Sequence, residues 1–169
     1  MPTLIPNLPR AAFCEIQCET DKEMHRKVVT KFPVSKIRPL QAKLALGASG
    51  KPSIEVSFAP FTLTTSEKEG SELLDFNTTL QADFINLPTT ELSRLQNKTF
   101  DFPANPKDGY IDASFYFSNV HNPVDITKFV FGDFCDGKVP LTMVTKWVMT
   151  YENTGFEDFD LTFSVSLSG

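Results

Sequence analysis

The chain has 169 residues, 41% of them hydrophobic and 22% charged, with a net charge of −5. One domain of this length buries roughly 70% of the surface its unfolded chain exposes, so neither disulfides nor a structural metal are needed to hold a core. Sixteen Phe against one Trp and three Tyr supply core-filling rings with β preference, and 12 Pro with 8 Gly favour many short elements over a few long helices.

The first residues, Met1-Pro2-Thr3-Leu4-Ile5-Pro6, show neither the basic start nor the apolar stretch of a secretory signal, and no apolar run approaches the ~20 residues of a membrane helix. The expectation is a cytoplasmic protein with no membrane partner. Cys14, Cys18 and Cys135 then stay reduced, and the sequons at Asn77 and Asn97 are chance matches.

Residues 11–19 (Cys14, Ile16, Cys18), 26–34 (Val28, Phe32, Val34) and 39–47 (Leu40, Ala42, Leu44, Leu46) read as strands, the last with a helix as the competing reading. Residues 22–51 carry a net +7 while residues 86–169 carry −5. Arg26, Lys27, Lys31, Lys36 and Arg38 are therefore candidates for binding an anion. The plainer explanation is a dipolar surface, with lysines guarding an edge strand at 26–32. An acidic chain overall argues against nucleic acid as the partner.

Residues 53–58 alternate, with Ile54, Val56 and Phe58 on one face. The charged run Ser66–Gly70 reads as an exposed loop tip. Residues 73–85 alternate over their whole length, with Leu74, Phe76, Thr78, Leu80, Ala82 and Phe84 on one face, which predicts a single long strand. One short helix is expected at 89–96, capped by Thr89, with Leu92 and Leu95 facing inward. Pro103–Gly109 breaks the chain, and a strand at 110–117 follows with Ile111, Ala113, Phe115 and Phe117 on one face.

Asn122-Pro123 reads as a turn. In 126–132, strict alternation places Ile126 and Val130 on one face and Phe129 and Phe131 on the other. Asp136-Gly137 is a hairpin turn, a better account of its segment than a calcium loop. In 140–151, Leu141, Met143, Trp147, Met149 and Tyr151 share a face opposite Val144 and Val148. A strand apolar on both faces is either central or covered by another chain, so Met143, Val144, Trp147, Val148 and Met149 form the candidate interface. Asn153-Thr154-Gly155 is a turn, and 159–167 alternates as the last strand.

Strands recur along the chain with no linker or repeat between them. The predicted fold is therefore one all-β domain over 1–169: an antiparallel β-sandwich or closed β-barrel of about eight or nine strands with one short helix near 89–96. Catalytic signals are lacking. His25 and His121 are the two histidines, with no metal-ligand spacing, no nucleophile elbow and no phosphate loop around them. The acidic residues from Asp101 to Asp136 sit mostly at strand ends, where Asp serves turns. No cofactor, metal or catalytic residue is assigned. The expected function is a non-catalytic binding or assembly domain acting through contact with another protein or with itself. The alternative is a barrel that carries a small apolar ligand, and an enzyme ranks last.

Overall fold

A computed structural model describes residues 30–67, 70–117 and 120–169. The expected strand at 11–19, and residues 26–29 of the next, lie outside the described residues. Ten strands follow: β1 (Pro39–Leu46), β2 (Pro52–Phe58), β3 (Phe61–Glu67), β4 (Gly70–Phe76), β5 (Thr79–Asp83), β6 (Thr99–Asp101), β7 (Asp112–Phe117), β8 (Val120–Phe131), β9 (Lys138–Trp147) and β10 (Phe159–Ser168). The molecule is all-β, and of the two predicted architectures it is the barrel.

Seven strands close the barrel in the order β8-β7-β5-β2-β1-β10-β9, with β9 returning to β8. Every neighbouring pair is antiparallel except β1 and β10, which run parallel with Ala42 opposite Leu167. Strand β6 extends the same edge of β8 beyond the reach of β7. Strands β3 and β4 form a separate two-stranded sheet.

The period-two pattern dictates which side chains enter the barrel. Leu44, Ile54, Leu80, Phe115, Phe129, Leu141 and Val165 are all buried, one from each barrel strand. Rings dominate the interior: Phe58 meets Phe115, Trp147 and Phe163 at centroid separations of 6.0, 6.1 and 6.1 Å, and Phe115 meets Trp147 at 4.6 Å. Small inward residues on β1, β5 and β7 (Ala42, Ala82 and Ala113) leave room for those rings. Outward positions carry charge, for example Lys43, Glu55, Lys146 and Asp160. That polarity is the reverse of what a lipid-facing barrel requires. Among the described residues no helix is long and apolar enough to cross a membrane.

Both ends are stopped. At the end where β1 finishes and β9 begins, the segment from Ile85 to Leu95 crosses over with Ile85, Leu87, Leu92 and Leu95 buried. Leu92 Cδ1 there lies 3.9 Å from where a Cβ on Gly169 would stand. At the other end Phe32 gathers Phe61, Phe117, Phe156 and Phe159 within 6.3 Å.

Several expectations are corrected. The helix at 89–96 reduces to one 3-10 turn, Leu92–Arg94, which keeps Leu92 and Leu95 inward as anticipated. Eight residues, halted by the positive φ (58°) of the following Asn97, are too few for a stable α-helix. The long strand at 73–85 is two strands. It breaks at Asn77-Thr78, where the chain passes from the small sheet into the barrel without a change of parity. Asn122-Pro123 is no turn but part of β8, and Thr30 to Lys36 hold one isolated bridge and a 3-10 turn in place of a strand. Ile126, Phe129 and Phe131 all point inward because a bulge at Thr127 resets the alternation. Strands β3 and β6 are additional to those predicted.

Candidate functional site

The residues singled out in the sequence divide sharply by environment. Met143, Trp147 and Met149 are 0% exposed, so this chain itself covers them. Trp147 donates its indole N–H to Thr145 Oγ1 at 2.9 Å, and Thr145 donates in turn to the Leu161 carbonyl at 2.6 Å. Of the five candidate interface residues only Val144, on the outer side of β9, and Val148, just past the end of that strand, retain partial exposure.

Among the candidate cations, Arg26 and Lys27 lie outside the described residues, and Lys31, Lys36 and Arg38 are exposed. The fold brings two of them together. Lys36 and Arg38 line an open cleft of about 430 Å3 with Ser35, Pro60, Phe61 and Thr62. The ion pairs among the described residues are Arg94–Glu91 and Lys128–Asp101, so Lys36 and Arg38 have no acidic partner there.

That cleft abuts the start of β3. Strands β3 and β4 pair with each other from Phe61 opposite Phe76 to Glu67 opposite Gly70, and with no other described strand. Thr62 Oγ1 donates to Asp75 Oδ1 across the pair at 2.6 Å. Phe61 stacks on Phe76, which stacks on Phe117, so the root of this hairpin is anchored in the barrel's aromatic end. Farther out, Leu73 is 70% exposed. A seven-residue strand pairing on one side only presents a row of unpaired N–H and C=O groups.

A second feature lies where β7 and β8 splay apart. Their pairing runs from Phe117–Val120 to Ser114–Pro123 and stops, and β6 pairs with β8 only from Lys128 to Val130. Above the split is a cleft of about 240 Å3 lined by Asn105, Tyr110, Asp112, Ser114, His121 and Asp125, among others. Ser114 Oγ and His121 Nδ1 are 3.1 Å apart, and the Tyr116 ring stands edge-on to the imidazole. A serine nucleophile needs a base, a group that orients the base, and donors for an oxyanion. Here neither Asp112 nor Asp125 hydrogen-bonds the imidazole, so the group that orients the base is not assembled among the described residues. The arrangement is a polar cleft able to donate and accept hydrogen bonds. Alternation did place Ser114 and Tyr116 outward, but a pairing with His121 depends on the β7–β8 register.

The other acidic residues do not converge. Asp101 pairs with Lys128 at 3.1 Å, Asp133 accepts from Asn97 at 2.7 Å, and Asp136 forms the tight turn with Gly137. Cys135, exposed beside that turn, is separated from His121 by most of the length of β8, roughly 30 Å at ~3.3 Å per residue. Among the described residues no group of three or more His, Cys, Asp or Glu is placed to hold a metal ion. No family model, curated protein or solved structure matches the chain.

Proposed function

We propose that this chain is a non-catalytic assembly domain that works by protein–protein contact, with the β3–β4 hairpin as the contact element and a second copy of the chain as the partner. The observation that carries the reading is the free edge of β3. Its first six residues, Phe61-Thr62-Leu63-Thr64-Thr65-Ser66, hold no charge and no proline, and no described strand covers that edge. Proteins guard such edges with lysine, proline, bulges or shortness. Seven of the other strands are closed into a barrel, β6 has three residues, and β4, which also pairs on one side only among the described residues, carries Asp75. A Thr-rich strand of high β propensity that no described strand covers is suited to gain a neighbour.

The carrier of a small apolar ligand has less support. Ring contacts fill the barrel interior and side chains stop both ends. The discriminating experiment for assembly is sedimentation over a wide concentration range. A monomer–dimer equilibrium is the expected outcome, and a single monomeric species at the highest soluble concentration overturns the reading.

A further inference from the structure

We propose that two polar clefts on the outside of β8, which meet at Asp125, form one site for a short neutral oligosaccharide. The site shares no residue with the β3–β4 hairpin, so it goes beyond the assembly reading and does not depend on it.

The first cleft is the notch between β7 and β8. Their ladder ends at Ser114–Pro123, so Ala113 and Val124, next in register, are not joined across the notch they line. The second, of about 330 Å3, lies over the outer faces of β8, β9 and β10 and is lined by Asp125, Thr127, Val144, Lys146, Asp160 and Thr162, among others. Asp125 borders both clefts, and the consecutive residues Ala104 and Asn105 border one each. Asp125, Lys146 and Asp160 are direct cross-strand neighbours. The polar floor therefore runs about 13 Å along β8 from His121 to Asp125, then about 10 Å across two strand spacings to Asp160. Joined, the clefts reach well into the range of about 300–1,000 Å3 usual for small-molecule sites.

The hydrogen-bonding capacity around them is unspent. Asp75, Asp83, Asp101, Asp133 and Asp158 each hold a partner within the protein. The side chains of Asn105, Tyr110, Asp112, Asp125, Lys146 and Asp160 hold none among the described residues.

That set selects a class of ligand. The carboxylates only accept, Lys146 only donates, and Asn105, Tyr110, Ser114 and His121 do both. A hydroxyl group also does both, so a polyhydroxy ligand answers every member. An anion meets three carboxylates against one ammonium. An apolar ligand strips water from these groups and leaves them unpaired. A cationic amine suits the carboxylates but offers no acceptor to Lys146 or to the Asn105 amide. Two rings add flat apolar faces on which the C–H groups of a sugar can pack. Tyr110 lines the first cleft, and Tyr116, 47% exposed, stands edge-on to His121 beside it.

The test is two-dimensional amide NMR of the isotope-labelled full chain, titrated to millimolar maltotriose, cellotriose, mannotriose or chitotriose. At least one of these sugars should shift Ala113 and Val124 together with Lys146 and Asp160, and saturate. Asp125→Ala should weaken that binding at least tenfold and Asp160→Ala several-fold. Lys43→Ala, on the outer side of β1, should leave it unchanged. Tenfold more salt should also leave it unchanged, because the ligand is neutral. The proposal is overturned if no sugar shifts these amides, if the shifts stay on one side of Asp125, or if spermidine shifts them and the sugars do not. Near-ultraviolet circular dichroism of each variant separates loss of binding from loss of fold.

Discussion

At the scale of single residues, burial fixes what a polar atom must do. Thr145 is 3% exposed and serves two partners, accepting from Trp147 and donating to Leu161. Thr145→Val keeps the shape but strands the indole N–H in an apolar interior. We expect a loss of about 1–3 kcal/mol by urea unfolding. The turn after Cys135 follows a different logic. Asp136 and Gly137 both take positive φ, 50° and 75°, as a two-residue hairpin of type I′ requires. Cys135 and Lys138 exchange both backbone hydrogen bonds across it at 2.9 Å. Gly137→Ala should cost on the order of 1 kcal/mol although nothing lies within 4 Å of the added Cβ, because the cost is backbone strain and not contact. Asp136→Asn, with a side chain that suits the left-handed region, should be neutral by the same urea unfolding. Both residues of this turn were legible in the sequence, since Asp-Gly between apolar runs is a local signal.

At the scale of elements, parity decides tolerance. Ile126 opposes Thr145 and Lys128 opposes Val144, so Thr127 is the extra residue of a bulge. Deleting Thr127 leaves Ile126, Phe129 and Phe131 all facing inward on a regular strand. It removes the bond from Phe102 N–H to the Thr127 carbonyl that helps hold β6. Deleting Thr142 from β9 instead turns one side of that strand inside out. The expected contrast is a folded but less stable barrel for the first deletion and loss of near-ultraviolet circular dichroism for the second. The bulge also explains why sequence counting split Ile126 from Phe129. Strict period two cannot register an inserted residue, and nothing local to Thr127 marks one. The break at Asn77-Thr78 was hidden for the opposite reason, since alternation continues across it and the change of sheet is a tertiary event. Elsewhere β2, β7 and β10 were legible nearly to their ends, because each has one face in the barrel, whereas the strand read over 140–151 is Lys138–Trp147 and the chain turns after it although apolar alternation continues to Tyr151.

The whole molecule depends on one long-range closure. Strand β10 pairs with β9 on one side and with β1, 125 residues earlier in register, on the other. A chain truncated after Asp158 lacks the strand that closes the barrel, and Leu44, Met143 and their neighbours then face water. It should show no cooperative thermal transition. The candidate contact surface belongs to this scale as well. Lys36 and Arg38 were marked in the sequence by the basic run alone, and the reason to single them out from the other cations appears only when the chain sets them against Phe61 and Thr62. Trp147 and its methionines went the other way. Their apolar character suggested an interface, and barrel closure put them inside.

By itself, the sequence determined the all-β character, most of the strands and which residues seek shelter from water, because alternation and turn chemistry act between near neighbours in the chain. Tertiary structure alone decided that the sheet closes on itself, that the Trp147 face is interior and that β3 and β4 pair apart from the barrel. Those outcomes turn on which strands lie side by side, and the free energy that selects one pairing over another comes from contacts between residues far apart along the chain.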